Sequence, residues 1–194
     1  MVPEVQELTE GEPEAVVVEN ARRKARAGLE RAGKGDLVLG VDTEVVLDGV
    51  LLGKPGNEGE ARERLALLSG RTHEVLSGLV VIGPISSSKG DLVRPGLTKS
   101  NLGGGHPSVP DPPEERSGVE RSKVTFRDLS PALLEAYLAS GEWRDRAGAY
   151  AVQGLGSSLV ERVDGDLSNV IGLPVKLLLG LVPDLLAKAG DSGS

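Results

Sequence analysis

Three stretches of this sequence carry residue types that can do chemistry. Asp42 closes the short apolar run Leu37-Val38-Leu39-Gly40-Val41. Such a run reads as a buried strand, and the C-terminal end of a strand in an α/β sheet faces the ligand crevice. A capping or turn aspartate is the competing reading. Lys54 lies between Gly53 and Pro55, a stiff loop that can aim an ammonium into a site, although most exposed lysines are only solvated. The third stretch, residues 147–156, is Ala-Gly-Ala-Tyr-Ala-Val-Gln-Gly-Leu-Gly. Its small residues let a ligand approach the backbone, and the Gln153 amide both donates and accepts hydrogen bonds. A tight strand connection with a bulge glycine accounts for the same residues.

Positioning these residues requires an alternation of helices and strands. Residues 13–32 read as a helix, with Thr9-x-x-Glu12 as a capping box, Pro13 in the first turn and Gly33 as the stop. Asn20, Arg23, Lys24 and Arg31 fall on its polar face. Asp48-Gly49 is a hairpin signal between residues 44–47 and 50–52. Asn57 caps a second helix that stops at Gly70. Residues 72–82 form a long strand and 123–127 the next. Ser130-Pro131 opens a helix that ends at Gly141. Residues 149–153 and 158–163 read as strands, and Pro174 opens a last helix to about residue 189. This alternation predicts an α/β sheet. Residues 83–118, rich in Gly, Pro and Ser without an apolar period, read as a flexible insertion in one domain spanning 1–194.

Composition removes several function classes. The formal net charge is −7, which disfavours a nucleic-acid partner. One Phe, one Trp and two Tyr cannot build a base-stacking platform. With no cysteine and two histidines there is neither a disulfide, a thiolate zinc site nor a histidine-rich metal centre. A metal would sit on carboxylates, which favours Mg²⁺ or Mn²⁺. No apolar run is long enough to span a membrane and no signal pattern opens the chain, so the cytoplasm is the expected compartment. His73 reads as a packed strand residue and His106 as solvated. Asp164-Gly165-Asp166 reads as a hairpin turn and Trp143 as a partly buried anchor.

Taken in order, Asn20-Ala-Arg-Arg-Lys-Ala25, Gly40-Val-Asp-Thr43, Gly53-Lys-Pro55, Leu68-Ser-Gly-Arg-Thr-His-Glu-Val75, residues 147–156 and Asp164-Gly-Asp166 with Asn169-Val-Ile-Gly-Leu-Pro174 resemble the Maf family of nucleoside triphosphate pyrophosphatases. The resemblance covers nearly all of the chain outside residues 83–118. It implies an α/β fold with a mixed, strongly bent sheet flanked by helices, in two lobes around a central cleft. It also implies hydrolysis of a nucleoside triphosphate to the monophosphate and pyrophosphate. Lys24 and Lys54 match lysines that face the phosphates, Asp42 the aspartate that binds metal or activates water, and Gln153 the site glutamine. Glu7 matches an acidic residue that helps hold the metal. Thr43 and Gln153 resemble the branch acting on dTTP and UTP, and a homodimer is implied as well. Family members open with a strand and a Ser-x-Ser-x-Arg-Arg loop that grips the triphosphate. Neither is present in this sequence, which predicts weakened activity. A non-catalytic nucleotide-binding or division-regulating protein of the same family is the second reading. A pyrophosphatase for deaminated purines is the third, and its motifs match poorly.

Overall fold

The computed structural model describes residues 5–85 and 114–186. Helix α1 (Pro13–Leu29) is followed by β1 (Val38–Leu47), β2 (Val50–Leu51), α2 (Glu58–Leu68), β3 (Thr72–Gly83), β4 (Glu114–Phe126), α3 (Pro131–Ser140), β5 (Val160–Asp164), α4 (Leu167–Ile171) and α5 (Val175–Leu181). The strands form one sheet in the order β2-β1-β3-β4-β5. The α/β class therefore holds, and each of the four strand pairings is antiparallel. The crevice argument for Asp42 presumed a strand end in a parallel sheet, so its position needs a different cause.

That cause is the way α1 lies on the sheet. Strand side chains alternate between faces, so Gly40, Asp42, Glu44 and Val46 share one face of β1 with their β3 partners Val80, Gly78, Leu76 and Glu74. A Cβ on Gly40 would stand 2.0 Å from the Ala21 carbonyl oxygen, and one on Gly78 would stand 2.3 Å from that of Val17. These two glycines let the helix backbone settle against the strands. Val16, Val17, Ala21 and Ala25 are buried beneath it. Thr43, Val45, Val75 and His73 point to the opposite face, where Leu65, Leu68, Phe126, Tyr137, Trp143 and Tyr150 build the largest apolar cluster.

Several local expectations hold. Asn57 caps α2 through Glu60 N at 3.0 Å. Gly141 ends α3 in the left-handed region, and Asp48 and Gly49 turn the hairpin with φ of 52° and 81°. Trp143 is a buried anchor, its indole donating to the Leu138 carbonyl at 3.1 Å.

Others need correction. Asp42 does not end its strand, because β1 pairs with β3 without a break from Val38 to Val46. Glu12, rather than a Thr9 box, caps α1 by accepting from Ala15 N at 2.9 Å. Strand β4 begins at Glu114, not Lys123, and its register with β3 runs from Gly83↔Glu114 to Thr72↔Thr125. Its polar residues hid it: most of its side chains are not buried, so no apolar alternation was required. The ends of the expected 83–118 insertion, Gly83 and residues 114–118, are therefore sheet, while residues 86–113, His106 among them, lie outside the described residues. Residues 149–153 are not a strand, because Gly148 and Ala149 hold φ of 65° and 64° and force a 3₁₀ turn over Ala147–Ala149. Asp166 makes no hairpin and instead caps α4, accepting from Ser168 N at 2.8 Å. Helix α5 ends at Leu181, and residues from 187 on lie outside the described part.

Candidate functional site

Asn20 and Lys24 are one helical turn apart on α1 and both reach Asp42. The Lys24 ammonium stands 2.5 Å from Asp42 Oδ1 and 2.6 Å from Glu7 Oε1. The Asn20 amide donates to Asp42 Oδ2 at 3.0 Å. Asn20 is fully buried, which corrects its expected place on the polar face. Its remaining capacity goes to Leu8, whose N–H it accepts at 2.7 Å and whose carbonyl it meets at 3.0 Å. That clamp holds the segment before α1 against the helix and so places Glu7 over Lys24. A carboxylate buried in mid-strand is tolerable only because both of its oxygens are matched in this way.

Lys54 approaches from the β2 end of the sheet. The left-handed Gly53 (φ 56°), whose carbonyl accepts from Gly148 N at 2.8 Å, sets the direction of the loop. The Lys54 ammonium lies 3.5 Å from Glu7 Oε2, and the side chain is 48% exposed. This contact is long and wet, which leaves Lys54 free to turn to another anion. Burial pushes the Glu7 carboxyl up, but Lys24 and Lys54 outweigh it and hold the group below its usual range. Burial likewise depresses Lys24, and Asp42 and Glu7 reverse that, raising it.

Sequence reasoning missed Glu44. Two residues beyond Asp42 on the same face of β1, it reads in the sequence only as part of a strand. Burial, and then the charge of Asp42, push its carboxyl up to about 7. The signal available was the period of two: if Asp42 points to a site, so does the residue at i+2.

Gln153 lies on the other face. It lines a cavity of about 170 Å³ with Thr43, Lys54, Arg146, Tyr150 and Ile171 among others. Glu142 positions its loop by accepting from Leu155 N and Gly156 N at 3.1 Å each. Thr43 is fixed by Ser77 at 2.7 Å. A second cavity, of about 380 Å³, is lined by Glu7, Glu44, Lys54 and Arg64 among others. The structure therefore gathers Glu7, Lys24, Asp42 and Lys54 directly. It brings Gln153 to them only through Lys54, which borders both cavities. Asp42 and Gln153 stay apart because β1 turns successive side chains to opposite faces. Behind Gln153, His73 is buried, as expected of a packed strand residue, with Nε2 2.8 Å from the Tyr150 hydroxyl. Burial lowers its pKa to about 4.

The chain's relatives can now be set beside this geometry. The family described as Maf-like protein matches residues 1–185. This chain belongs to the Maf-like family. A protein of Pyrococcus abyssi named dTTP/UTP pyrophosphatase is 39% identical over 88% of this chain and 75% of its own length. Proteins of the same name from Thermococcus onnurineus and an Anaeromyxobacter species are 40% and 41% identical, over 86% and 93% of this chain and 74% and 73% of their own. No helix among the described residues of this Maf-like protein is long and apolar enough to cross a membrane.

Proposed function

We propose that this Maf-like protein hydrolyses nucleoside triphosphates of the dTTP and UTP kind between the α and β phosphates, giving the monophosphate and pyrophosphate. The observation that carries the reading is the Glu7–Lys24–Asp42 cluster joined through Lys54 to the Gln153 cavity. Water adds to the α-phosphorus, the bond to the bridging oxygen breaks, and the pyrophosphate leaves with the electron pair. Negative charge grows on that leaving group, so fixed cations beside it lower the barrier. Lys54 supplies one as it swings from its long contact with Glu7 to the polyphosphate. Lys24 keeps Glu7 ionised and holds both carboxylates in place, and Asp42 orients the attacking water. Gln153 and Thr43 bind the nucleotide on the opposite face.

A divalent cation fits the donor set of Glu7 and Asp42, which is oxygen only and partly buried. Among the described residues no three acidic or imidazole groups form a cage. Mg²⁺ is commonly held by one or two carboxylates together with substrate phosphates. Bound there, Mg²⁺ or Mn²⁺ would neutralise phosphate charge. The same reading puts the enzyme in the cytoplasm, as a homodimer.

The test is pyrophosphate release from dTTP and UTP with Mg²⁺. Loss of product in Lys54→Ala and Asp42→Asn supports the assigned roles. Nucleotide binding without any pyrophosphate in the parent protein would replace hydrolysis with a binding role.

A further inference from the structure

Two charged side chains, Glu44 and Arg64, each border the larger cavity and each carry an atom that no hydrogen bond reaches. Glu44 is 8% exposed, and its Oε2 is buried and unpartnered. Arg64 comes from α2. Its Nη2 lies 3.6 Å from Glu60, while its Nη1 is buried and unpartnered. Both line the cavity of about 380 Å³ that Glu7 and Lys54 also line. An unpaired carboxylate oxygen and an unpaired guanidinium nitrogen are each costly to bury. Here they carry opposite charge and face one space without meeting.

The oxygens of Asp42 contrast with this. One is taken by Lys24 and the other by Asn20. Glu44 keeps an oxygen that no partner takes, and can add it to the carboxylates of Glu7 and Asp42 around a cation. Arg64 adds what a phosphate requires, a planar donor group that forks onto paired oxygens. A ligand with a cation at one end and phosphate oxygens at the other satisfies both orphaned atoms, and Lys54 completes the anion's surroundings. The cavity volume falls within the range of small-molecule sites.

We propose that Glu44 and Arg64 form the subsite for the metal-chelated diphosphate end of the nucleotide, with Glu44 on a divalent cation and Arg64 on the phosphate oxygens. The proposal rests on the triphosphate-hydrolysis reading of the same site.

The experiment uses the intact protein with Mn²⁺ and inorganic pyrophosphate and no nucleotide. Free Mn²⁺ is followed by its electron paramagnetic resonance, and pyrophosphate binding at fixed Mn²⁺ by calorimetry. Glu44→Gln is expected to weaken Mn²⁺ binding about tenfold or more. Arg64→Gln is expected to weaken pyrophosphate about tenfold while leaving Mn²⁺ alone unchanged. Glu44→Asp and Arg64→Lys, which keep the charge, serve where a neutral variant fails to fold, and smaller shifts in the same direction are expected from them. If the cavity merely holds a bridging water, or the two side chains close into an ion pair, the variants change the melting temperature and bind both probes like the parent. That result overturns the proposal. If dTTP is hydrolysed while Glu44→Gln binds Mn²⁺ like the parent, this subsite fails and the hydrolysis reading stands. If Mn²⁺ and pyrophosphate binding depends on Glu44 and Arg64 but no triphosphate is cleaved, the subsite stands and hydrolysis fails.

Discussion

On one face of β1 and β3, Lys24, Glu7, Asp42 and Glu44 crowd charges together. On the other, His73, Phe126 and Tyr150 meet edge to face, with ring centroids 4.7 to 5.4 Å apart. The first region keeps most of its polar atoms by pairing them and leaves one buried carboxylate oxygen, on Glu44, without a partner. The second keeps its one imidazole uncharged by burying it. The two faces are built from alternate residues of the same strands, so a charge on one is insulated from the other by a single layer of backbone. Binding groups can therefore be concentrated on the α1 face without loosening the core that supports Gln153. Substitutions on the two faces are expected to separate stability from turnover.

The largest effect belongs to the aromatic face. Phe126 is buried and touches both His73 and Tyr150. Phe126→Ala is expected to cost about 3–5 kcal/mol of stability, measured by denaturant unfolding, with pyrophosphate release per folded molecule largely kept. A fall in turnover larger than the loss of folded protein would mean that the core sets the site's geometry more tightly than the insulation argument allows.

Acid titration sets the two faces against each other directly. Glu44 is raised from 4.5 to about 7, so its contribution is favourable at low pH and is lost as pH rises through that window. His73 is lowered from 6.5 to about 4, so its contribution is present above 6.5 and is lost as pH falls. Each amounts to about 3 kcal/mol over its full span. Where the windows overlap the slopes are opposite and cancel. Stability of the parent is expected to be nearly flat there. Glu44→Gln should unmask stability that rises with pH, and His73→Gln stability that falls with it. Parallel curves for all three proteins would show that neither group titrates as its burial implies.

Much of this arrangement was legible before the fold was known. Asn57, Gly141 and Asp48-Gly49 act locally, and local chemistry is what a single sequence states directly. Glu7, Lys24, Asp42 and Lys54 were singled out and do gather, while Gln153 joins them only through Lys54. What stayed hidden depended on contacts between distant segments. Asn20 reads as a surface amide until the segment before α1 folds back onto it. Arg64 sits among the charges of α2, whose own pattern names no partner for it, and only the fold brings it to the cavity. The β4 strand is polar because most of its side chains are left unburied, and the register with β3, not its own pattern, makes it a strand.

Lys54→Ala is the complementary change on the charged side. The side chain is half exposed and makes one long contact with Glu7, so its removal should leave stability within about 0.5 kcal/mol. Pyrophosphate release should fall about 100-fold, as when one positioned group facing a developing charge is removed. A stability loss matching that of Phe126→Ala would place Lys54 in the scaffold and erase the contrast between the faces.

The smallest effect is the most discriminating. Among the described residues the Tyr150 hydroxyl is the one hydrogen-bond partner of the His73 ring, whose Nδ1 has none. Tyr150 also borders the Gln153 cavity, so its hydroxyl could serve either face of that wall. Tyr150→Phe removes only the oxygen. If the hydroxyl serves His73, the change costs about 1 kcal/mol in the parent and much less in a His73→Phe background, with turnover unchanged in both. If the two costs are equal, the hydroxyl is not working through the imidazole. Turnover should then drop with Tyr150→Phe alone, which would move the boundary of the site one residue deeper, into the aromatic cluster itself.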